Sequence, residues 1–413
     1  MAAASRSKRP RSTADYLRPR NGTTNPVPQM KSDADRLLVN QASMISGPRC
    51  LVLLDQGTTL AAGLREAAPG IRWAFFTPEE FYFQTLRRFH PEAVIVRDDI
   101  DSGSEQSSSD SPDCCLICGM EPPDELFDTV VLPTTATGNG EQTQELIQTA
   151  FLRLKPGGLL ISSTNNPRDS WLHQHLKTVF GKVTVEKDKR GVVYLCRRSG
   201  ELKRRRDFCA EAAFRWDDRL VMLTTRPGVF SHRRVDGGAR ALIRSIRPSA
   251  SAEQDESSAE TTAAVTAEAP QPLPVTVRKV CDLGCGSGAA AMAAALLYPD
   301  AHVLAVDSHA AAVWCTQQNA IRNQIANVET LLTADARLPG DGSWDLILTN
   351  PPYYSDYRIS ELFLQSARTA LRKGGQLRLV TKLTDWHSTR MNQLFRTVTI
   401  QRIGEYDVLT AIR

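Results

Sequence analysis

Three features are scarce or missing in this 413-residue sequence, and each absence excludes a class of protein. No run of about 18 uncharged apolar residues is present, so we expect neither a membrane-spanning helix nor a membrane partner. Nine cysteines are too few for a scaffold held by disulfides, and no apolar secretion signal is found, which favours the cytoplasm. The formal net charge of +4 excludes a histone-like polycation but is compatible with a local basic surface.

Large apolar side chains are also scarce in two long segments. Residues 1–44 are rich in Ser, Arg, Pro and Asn, and residues 248–274 are dominated by Ala, Ser, Thr, Glu and Pro. Such compositions cannot offset the entropy lost on ordering, so we predict a disordered basic tail and a flexible insert. The rest of the chain has the length of two domains, which we place at residues 45–200 and 275–413, joined by a connector at 201–247.

The two domains share landmarks in the same order. In the first domain Asp128 precedes Gly157 by 29 residues, and in the second Asp345 precedes Gly374 by the same 29. Both domains alternate short apolar strands with helices and end in two β-rich runs, a pattern typical of a parallel sheet covered on both faces. We therefore predict an α/β fold of two tandem Rossmann-like domains that arose by duplication.

A glycine-rich turn opens the second domain. It follows a β-branched run beginning at Val275, leads into an alanine-rich helical stretch, and reads Asp282-Leu283-Gly284-Cys285-Gly286-Ser287-Gly288. Glycines permit positive φ and let a ligand approach the backbone, while the following helix N-terminus offers free N–H groups. This combination predicts a nucleotide or cofactor cradle formed by Asp282, Gly284, Gly286 and Gly288.

Two acids follow the next predicted strands of the second domain. Asp307 ends an apolar run 25 residues after Asp282, where an acid binds the ribose hydroxyls of a nucleotide, and Asp335 follows a further short strand. Asp335 could accept a hydrogen bond from an adenine amino group. Each acid could instead be an ordinary cap or turn residue. Together with the glycine loop they favour a cofactor site that also includes the neighbouring Ser308 and Ala336.

The glycine loop and the acids together resemble the class I S-adenosylmethionine-dependent methyltransferases. In that family the glycine loop holds the methionine part of the cofactor, the acid after the second strand holds the ribose, and the acid after the third strand contacts adenine. The predicted final hairpin, Thr397–Ile400 with Val408–Ile412, is also typical of the family. The resemblance therefore implies S-adenosyl-L-methionine as the cofactor and an enzyme that transfers its methyl group.

An Asn350-Pro351-Pro352-Tyr353 turn follows the fourth predicted strand, 68 residues after Asp282. The two prolines fix an extended turn that lacks N–H donors and directs its carbonyl groups outward. The Asn350 side-chain oxygen and the Pro351 carbonyl can then accept both hydrogens of one planar NH2 group, and Tyr353 can stack on its ring. The alternative is a strand-ending turn without chemistry. The resemblance implies that all four residues are catalytic and that the target is an amine of guanine or adenine, or a glutamine amide.

The first domain lacks each of these motifs. Asp55-Gln56-Gly57-Thr58-Thr59 replaces the three-glycine loop, Thr77 stands where the ribose acid is expected, and Pro133-Thr134-Thr135-Ala136 replaces the Asn-Pro-Pro-Tyr turn. We predict that this domain is a degenerate copy, which keeps the fold, has lost the chemistry, and serves substrate binding or packing.

A duplicated methyltransferase with a silent first half resembles the bacterial ribosomal RNA guanine-N2 methyltransferases, both type C, which acts on the small subunit, and type G, which acts on the large one. The connector carries Arg226-Pro227-Gly228-Val229-Phe230-Ser231 and Asp236-Gly237-Gly238, a segment that closes over the cofactor in this family, so the resemblance makes Phe230 a cofactor contact. Tyr353 and Tyr354 depart from the family's Phe and His, which leaves the target nucleotide open. The implied partner is ribosomal RNA or a ribosomal subunit, with the protein acting as a monomer.

Basic residues between the domains fit an RNA partner, although such runs are also common on solvated surfaces. They are Lys203, Arg204, Arg205 and Arg206, followed by Arg233, Arg234, Arg240 and Arg244. Two other functions stay open. One is methylation of a release-factor glutamine, for which the resemblance would require a helical first domain, and the other is non-catalytic RNA binding by a vestigial fold.

Cys114, Cys115 and Cys118 lie close enough in sequence to suggest zinc. No second Cys/His pair follows at a suitable spacing, and the intervening Leu116 and Ile117 are typical of a buried strand. We therefore expect no metal site.

Overall fold

The described part of the chain forms two α/β units, each built on one large sheet. The computed structural model describes residues 32–54, 57–97, 113–247, 276–353 and 355–413. The predicted insert and residues 1–31 of the predicted tail lie outside the described residues. Within the described ranges, no helix combines the length and the apolar character that crossing a bilayer requires.

The first unit has an eight-stranded sheet with helices on both faces. Its strands are β1 (Arg49–Leu53), β2 (Arg72–Thr77), β3 (Val94–Arg97), β4 (Cys114–Cys118), β5 (Phe127–Thr134), β6 (Leu154–Thr164), β7 (Thr184–Asp188) and β8 (Gly191–Arg197). Its helices are α1 (Asp33–Asn40), α2 (Thr59–Ala67), α3 (Glu80–Phe89), α4 (Gly140–Arg153) and α5 (Trp171–Phe180). The central strands are buried on both faces, which explains their continuous apolar sequences.

The second unit has a seven-stranded sheet, preceded by a separate hairpin of β9 (Ala210–Trp216) and β10 (Arg219–Thr225) and by α6 (Gly237–Ile246). The strands of the large sheet are β11 (Lys279–Leu283), β12 (His302–Asp307), β13 (Val328–Leu332), β14 (Trp344–Thr349), β15 (Leu371–Thr381), β16 (Thr397–Ile403) and β17 (Tyr406–Ile412). The helices are α7 (Ala289–Leu297), α8 (Ala310–Arg322), α9 (Arg358–Ala370) and α10 (Thr384–Leu394).

The two sheets share one strand order, which confirms the predicted pair of Rossmann-like domains. The order is β4-β2-β1-β5-β6-β8-β7 in the first unit and β13-β12-β11-β14-β15-β17-β16 in the second, and β3 is an additional edge strand of the first. In both units the last two strands pair antiparallel and the others pair parallel. The carboxyl ends of the parallel strands therefore meet at one edge of each sheet, where α/β folds bind their ligands.

One aspartate fixes the same junction in both units. In the first unit Asp128 Oδ2 accepts from the Arg49 N–H at 3.1 Å, and in the second Asp345 Oδ2 accepts from the Lys279 N–H at 2.9 Å. Each donor is the first residue of the central strand. The aspartates that mark the 29-residue spacing thus perform one structural task twice, which accounts for that part of the repeat.

Residues 33–44, predicted to belong to a disordered tail, are ordered in the structure. They form α1 and a 3-10 helix over Ala42–Met44. The Ser32 hydroxyl caps α1 by accepting a hydrogen bond from the Asp35 N–H. Leu37 and Leu38 are 5% and 1% exposed because they pack into the core of the first unit. The segment is short and its few apolar residues lie on one helical face, so composition alone gave the wrong boundary.

The segment predicted as a connector is part of the second unit's core. Phe214 and Val221 of the β9–β10 hairpin and Leu242 of α6 lie in one apolar cluster with Val280 of the central strand β11. The connector sequence alternates apolar and polar residues too briefly to show which domain it joins. Its packing brings α6 to the ligand-binding edge of the second sheet.

Candidate active site

The glycine-rich turn lies at the carboxyl end of β11, where that strand passes into α7. Gly284, Gly286 and Gly288 have φ values of +81°, +55° and +80°, a region that residues with side chains seldom adopt. The Gly284 N–H donates to the Val306 carbonyl at 2.8 Å, which holds the turn against the end of β12. A Cβ on Gly288 would lie 2.7 Å from the Thr316 side chain, so the start of α7 leaves no room for one.

Asp282 joins the end of β11 to the helix that follows the turn. Its Oδ2 accepts from the Ala291 N–H at 2.9 Å, which satisfies one of the free N–H groups in the first turn of α7. The residue is 3% exposed, and burial raises the pKa of Asp282 to about 7. This hydrogen bond therefore connects the end of β11 to the first turn of α7.

Asp307 connects the end of β12 to the glycine turn. One carboxylate oxygen accepts from the Gly286 N–H at 2.9 Å, and the other accepts from the His309 N–H at 3.0 Å. Burial raises the pKa of Asp307, and its backbone hydrogen bonds oppose that rise. The predicted ribose acid and the predicted glycine loop are thus in direct contact, with Ser308 in the turn that follows.

Asp335 lies in the turn after β13 and is more exposed than the other two acids. Its Oδ1 accepts from the Thr333 hydroxyl at 2.8 Å and from the Arg337 N–H at 3.0 Å. The next residue, Ala336, is buried and has a φ of +54°. The turn reaches the same edge of the sheet, because the Thr333 N–H donates to the Asp307 carbonyl at 3.0 Å.

Asn350 follows β14 at this edge, and its side chain is held by the residue that caps the N-terminus of α6. The Asn350 Nδ2 group donates to Asp236 Oδ2 at 2.9 Å. A carboxylate only accepts hydrogen bonds, so the amide nitrogen must face Asp236, and the Asn350 Oδ1 atom remains as an acceptor for another donor. The same Asp236 oxygen caps α6 by accepting from the Gly238 N–H at 2.8 Å. The arrangement presents an oriented hydrogen-bond acceptor.

Glycine at position 238 is required by this contact. A Cβ there would lie 2.9 Å from Asn350 Oδ1 and 2.8 Å from Asp236 Oδ2. The end of β14 is also tied to the glycine turn, because the Thr349 hydroxyl donates to the Leu283 carbonyl at 2.8 Å. Asn350 is therefore fixed relative to the cofactor cradle from two directions.

The rest of the Asn-Pro-Pro-Tyr turn leads outward from the core. Pro351 is buried, Pro352 is partly exposed, and Tyr353 is 42% exposed. Partial burial raises the pKa of Tyr353 to about 12, with further contributions from Tyr406 and Asp236. Tyr353 therefore lies near Asp236, the residue that binds the Asn350 amide.

Three residues of this site were not assigned from sequence: Asp236, Tyr406 and Lys382. A Cβ on Gly237 would lie 2.8 Å from the Tyr406 ring, and the Lys382 ammonium lies 4.5 Å from the centroid of that ring. The Asp-Gly-Gly run was visible in the sequence, but 114 residues separate Asp236 from Asn350. Only the packing of α6 against the sheet brings them together.

Phe230, predicted as a cofactor contact, has a side chain that is 59% exposed. The segment that contains it does approach the site. A Cβ on Gly228 would lie 3.1 Å from the His309 ring, and Val229 packs on Ala311 at the start of α8. The segment therefore contacts the turn after Asp307 through Gly228 and Val229, while the Phe230 ring faces solvent.

Among the described residues, threonines end the corresponding strands of the first unit. Thr77 ends β2 with 0% exposure, and its hydroxyl accepts from the Glu79 N–H at 3.2 Å. Thr134 ends β5, and its hydroxyl donates to the Ser163 carbonyl at 2.8 Å. Asp55 and Gln56, in the segment that replaces the glycine loop, lie outside the described residues.

The three clustered cysteines form β4, as predicted for a buried strand. Cys114 and Cys118 lie in the apolar core on one side of the sheet, and Cys115 packs on the other. Burial raises the pKa of Cys114 to about 11 and that of Cys115 to about 12, so both stay protonated at neutral pH. Among the described residues, no group of three or more His, Cys, Asp or Glu side chains is arranged to hold a metal ion.

The second unit matches a known family model, and the chain has relatives among curated proteins. The family model of the methyltransferase small domain matches residues 262–410. The ribosomal RNA large subunit methyltransferase G of Streptomyces coelicolor is 30% identical over 193 residues, covering 44% of each chain. The ribosomal RNA small subunit methyltransferase C of Pseudomonas putida is 28% identical over 172 residues, covering 41% of this chain and 44% of that protein. The chain thus spans less than half the length of the curated relatives it matches.

The likeness to a solved structure extends over both units. The 16S rRNA N2 G1207 methyltransferase of T. thermophilus, solved with AdoMet and guanosine, superposes with a TM-score of 0.68. It is 19% identical in sequence, and the match covers 93% of this chain and 92% of that one. The predicted class I methyltransferase fold is confirmed.

Proposed function

We propose that this protein transfers a methyl group from S-adenosyl-L-methionine to the exocyclic amine of a guanine in ribosomal RNA. The observation that carries the proposal is the Asn350 amide, which Asp236 orients so that its oxygen can accept a hydrogen bond. The curated relatives act on ribosomal RNA according to their names, which supports the same substrate class.

The residues at the sheet edge fit the cofactor. A Cβ on Gly286 would meet no atom within 4 Å, so the backbone of the turn adjoins open space that a ligand can occupy. We assign the glycine turn to the methionine part, Asp307 to the ribose, and Asp335 with Ala336 to the adenine. S-adenosyl-L-methionine would supply an electrophilic methyl group on a positively charged sulfonium. Ser308 follows Asp307 in the turn and would complete this pocket.

The chain's own groups would bind and orient the accepting amine. The Asn350 oxygen and the Pro351 carbonyl would each accept one N–H hydrogen, which weakens the conjugation of the nitrogen lone pair with the guanine ring and directs it to one face. Tyr353 would stack on the base. Transfer to a neutral amine releases one proton, which leaves to water after the new N–C bond forms. Positioning and polarisation, and not a strong base, would therefore supply most of the rate enhancement.

Charge on α6 supports an RNA substrate. Arg234, Arg240 and Arg244 are exposed on or beside this helix, whose N-terminus carries Asp236. An RNA strand bound there would place its phosphates on these arginines and one unstacked base near Asn350. We propose that the partner is naked ribosomal RNA or a ribosomal subunit. We also propose that the protein acts as a monomer, because one chain supplies both units, and that it acts in the cytoplasm.

The α/β fold of the first unit argues against the release-factor alternative, for which the resemblance requires a helical first domain. The oriented Asn350 and the contact between Asp307 and the glycine turn argue against a vestigial site. A transfer assay discriminates among the three functions. Labelled cofactor is incubated separately with unmethylated ribosomal RNA, ribosomal subunits and release factors, and digested RNA is analysed by chromatography. We expect labelled N2-methylguanosine. Label in release factor alone, or in no substrate, would contradict the proposal.

Substitution of Asp236 tests the positioning of the Asn350 amide. We expect Asp236→Ala to lower kcat by roughly tenfold to a hundredfold, because a misplaced reacting group costs about this much. The KM for the cofactor should change by less than about threefold, since Asp236 forms its hydrogen bonds with Gly238, Ala239 and Asn350.

Asp236→Asn serves as the conservative control for this experiment. Its side-chain oxygen can still accept from both the Gly238 N–H and the Asn350 amide, so we expect it to restore most of kcat. The melting temperature of each variant is measured as well, because the loss of the α6 cap by itself would lower stability. Equal kcat in Asp236→Ala and the unsubstituted protein would show that Asp236 does not position Asn350.

A further inference from the structure

The two units contact each other through the same turn of the repeated fold. In the first unit the turn after β2 is Pro78–Glu80, and in the second the turn after β12 is Ser308–Ala310. The Glu80 N–H donates to the Ser308 carbonyl at 2.8 Å, and the Ala310 N–H donates to the Pro78 carbonyl at 2.7 Å. Pro78 corresponds to Ser308 and Glu80 to Ala310, so this pair of bonds is reciprocal, as across the two-fold axis of a dimer.

Side chains strengthen this junction on both sides. The Glu79 and His309 backbones pair in an antiparallel bridge, and the Glu79 carboxylate lies beside the Ser308 side chain. Arg97 pairs with Glu80 at 2.7 Å between Nη1 and Oε1, and its Nη2 donates to the Leu332 carbonyl at 3.4 Å. Leu332 is the last residue of β13, directly before the turn that carries Asp335. The first unit therefore contacts both cofactor-side turns of the second.

The apolar core is continuous across the junction. Ala310 and Leu332 of the second unit are 6% exposed each, and both belong to the same cluster as Phe83 and Leu116 of the first unit. Separating the units would expose these side chains and leave the Ser308 carbonyl and the Ala310 N–H without their partners. The turn after Asp307 thus depends on the first unit for its backbone hydrogen bonds and for its packing.

We propose that the degenerate unit is a working part of the cofactor site, with Glu79 as a positioning residue that holds the Asp307–Ser308 turn in its ligand-binding conformation. Asp307 itself contacts the glycine turn through Gly286, so a shift of the turn after β12 would displace both halves of the cradle. This inference rests on the proposed use of S-adenosyl-L-methionine. It assigns a function to the copy that has lost its own motifs.

The test measures affinity of the full-length protein for S-adenosyl-L-methionine by calorimetry at pH 8. Burial raises the pKa of Glu79 to about 7, so the carboxylate is ionised at that pH. We expect Glu79→Ala to raise the Kd by roughly tenfold, because the turn after Asp307 loses the carboxylate that lies beside Ser308. Glu79→Gln keeps an oxygen that can accept from Ser308 and should raise the Kd by less than about threefold.

Glu92→Ala is the matched control. Glu92 is an exposed glutamate of the first unit that pairs with Arg65 of the same unit, away from the junction. We expect its Kd to equal that of the unsubstituted protein. The melting temperature of each variant is measured without cofactor, because a purely structural role would lower it while leaving the Kd of the folded protein unchanged. That outcome would overturn the inference.

A double substitution isolates the Glu79–Ser308 contact. In a Ser308→Ala background, Glu79→Ala should change the Kd by less than about twofold, because the partner is already gone. The same tenfold effect in both backgrounds would overturn the role assigned to this contact. If Glu79→Ala does not fold, Glu79→Met replaces it, since Met keeps the length of the side chain and removes the acceptor.

The outcomes separate this inference from the proposed function. If the unsubstituted protein does not bind S-adenosyl-L-methionine, the proposed function fails and the inference fails with it. If the unsubstituted protein binds and Glu79→Ala binds equally well, only the role of the first unit is wrong.

Discussion

Asn350→Ala is expected to lower kcat for methyl transfer to ribosomal RNA by a factor of about 10²–10³, the loss typical of removing one polar group that stabilises a transition state. The variant loses the acceptor that Asp236 orients, so the amine of the substrate is no longer held in one direction. Cofactor affinity should change by less than about threefold, because the side-chain hydrogen bond of Asn350 is made to Asp236 and not to the glycine turn. Single-turnover transfer and calorimetry of cofactor binding measure the two quantities separately.

A matched control for this substitution is Asn392→Ala, which changes an exposed asparagine of α10 whose side chain bonds only to the Ser388 carbonyl among the described residues. We expect it to transfer at the unsubstituted rate. Asn350→Ala with a full rate would show that the Asn-Pro-Pro-Tyr turn is structural. A loss of cofactor binding equal to the loss of rate would instead place Asn350 in the cofactor site.

Asp307→Ala is expected to raise the Kd for S-adenosyl-L-methionine by roughly a hundredfold. The substitution removes the proposed acceptor for the ribose hydroxyls, and hydrogen bonds to a charged group contribute about 1.5–3 kcal/mol each. It also removes the bonds that the carboxylate accepts from the Gly286 and His309 N–H groups, so the glycine turn loses its contact with the end of β12. Calorimetry with the unmodified cofactor measures this change directly.

Asp307→Asn and Asp300→Ala complete the experiment. The asparagine retains one oxygen acceptor, so its Kd should fall between those of Asp307→Ala and the unsubstituted protein. Asp300 is an exposed aspartate just before β12, and its removal should leave the Kd unchanged. A Kd for Asp307→Ala within twofold of the unsubstituted value would remove Asp307 from the cofactor site.

The glycine turn and the acids were predictable because their signals are local. Gly284, Gly286 and Gly288 are required by positive φ, and Asp307 by the end of a strand, and a strand and its turn are contiguous in sequence. The duplication was predictable for the same reason, since Asp128 and Asp345 perform one backbone-capping task at one spacing in each unit. Their roles toward a ligand stay predictions that the proposed binding experiments test.

The boundary of the first unit could not be read in the same way. Composition over 44 residues averages a polar segment with the single amphipathic helix α1, whose Leu37 and Leu38 find a core only in the folded unit. The 59% exposure of Phe230 could not be read from its motif either, and its contact with the cofactor stays a prediction. Both follow from side-chain packing, which no local pattern specifies.

Three features were readable from the sequence by itself: the scarcity of long apolar runs, the doubled α/β pattern, and the residue types at the ends of the second unit's strands. Tertiary structure decided which of them meet. Asp236 reaches Asn350 because α6 packs on the second sheet, and Glu79 reaches Ser308 because two equivalent turns pair across the units. Strand ends and helix starts are set by nearby residues, whereas the orientation of an amide and the support of a loop depend on groups that are distant in the chain and adjacent only after folding.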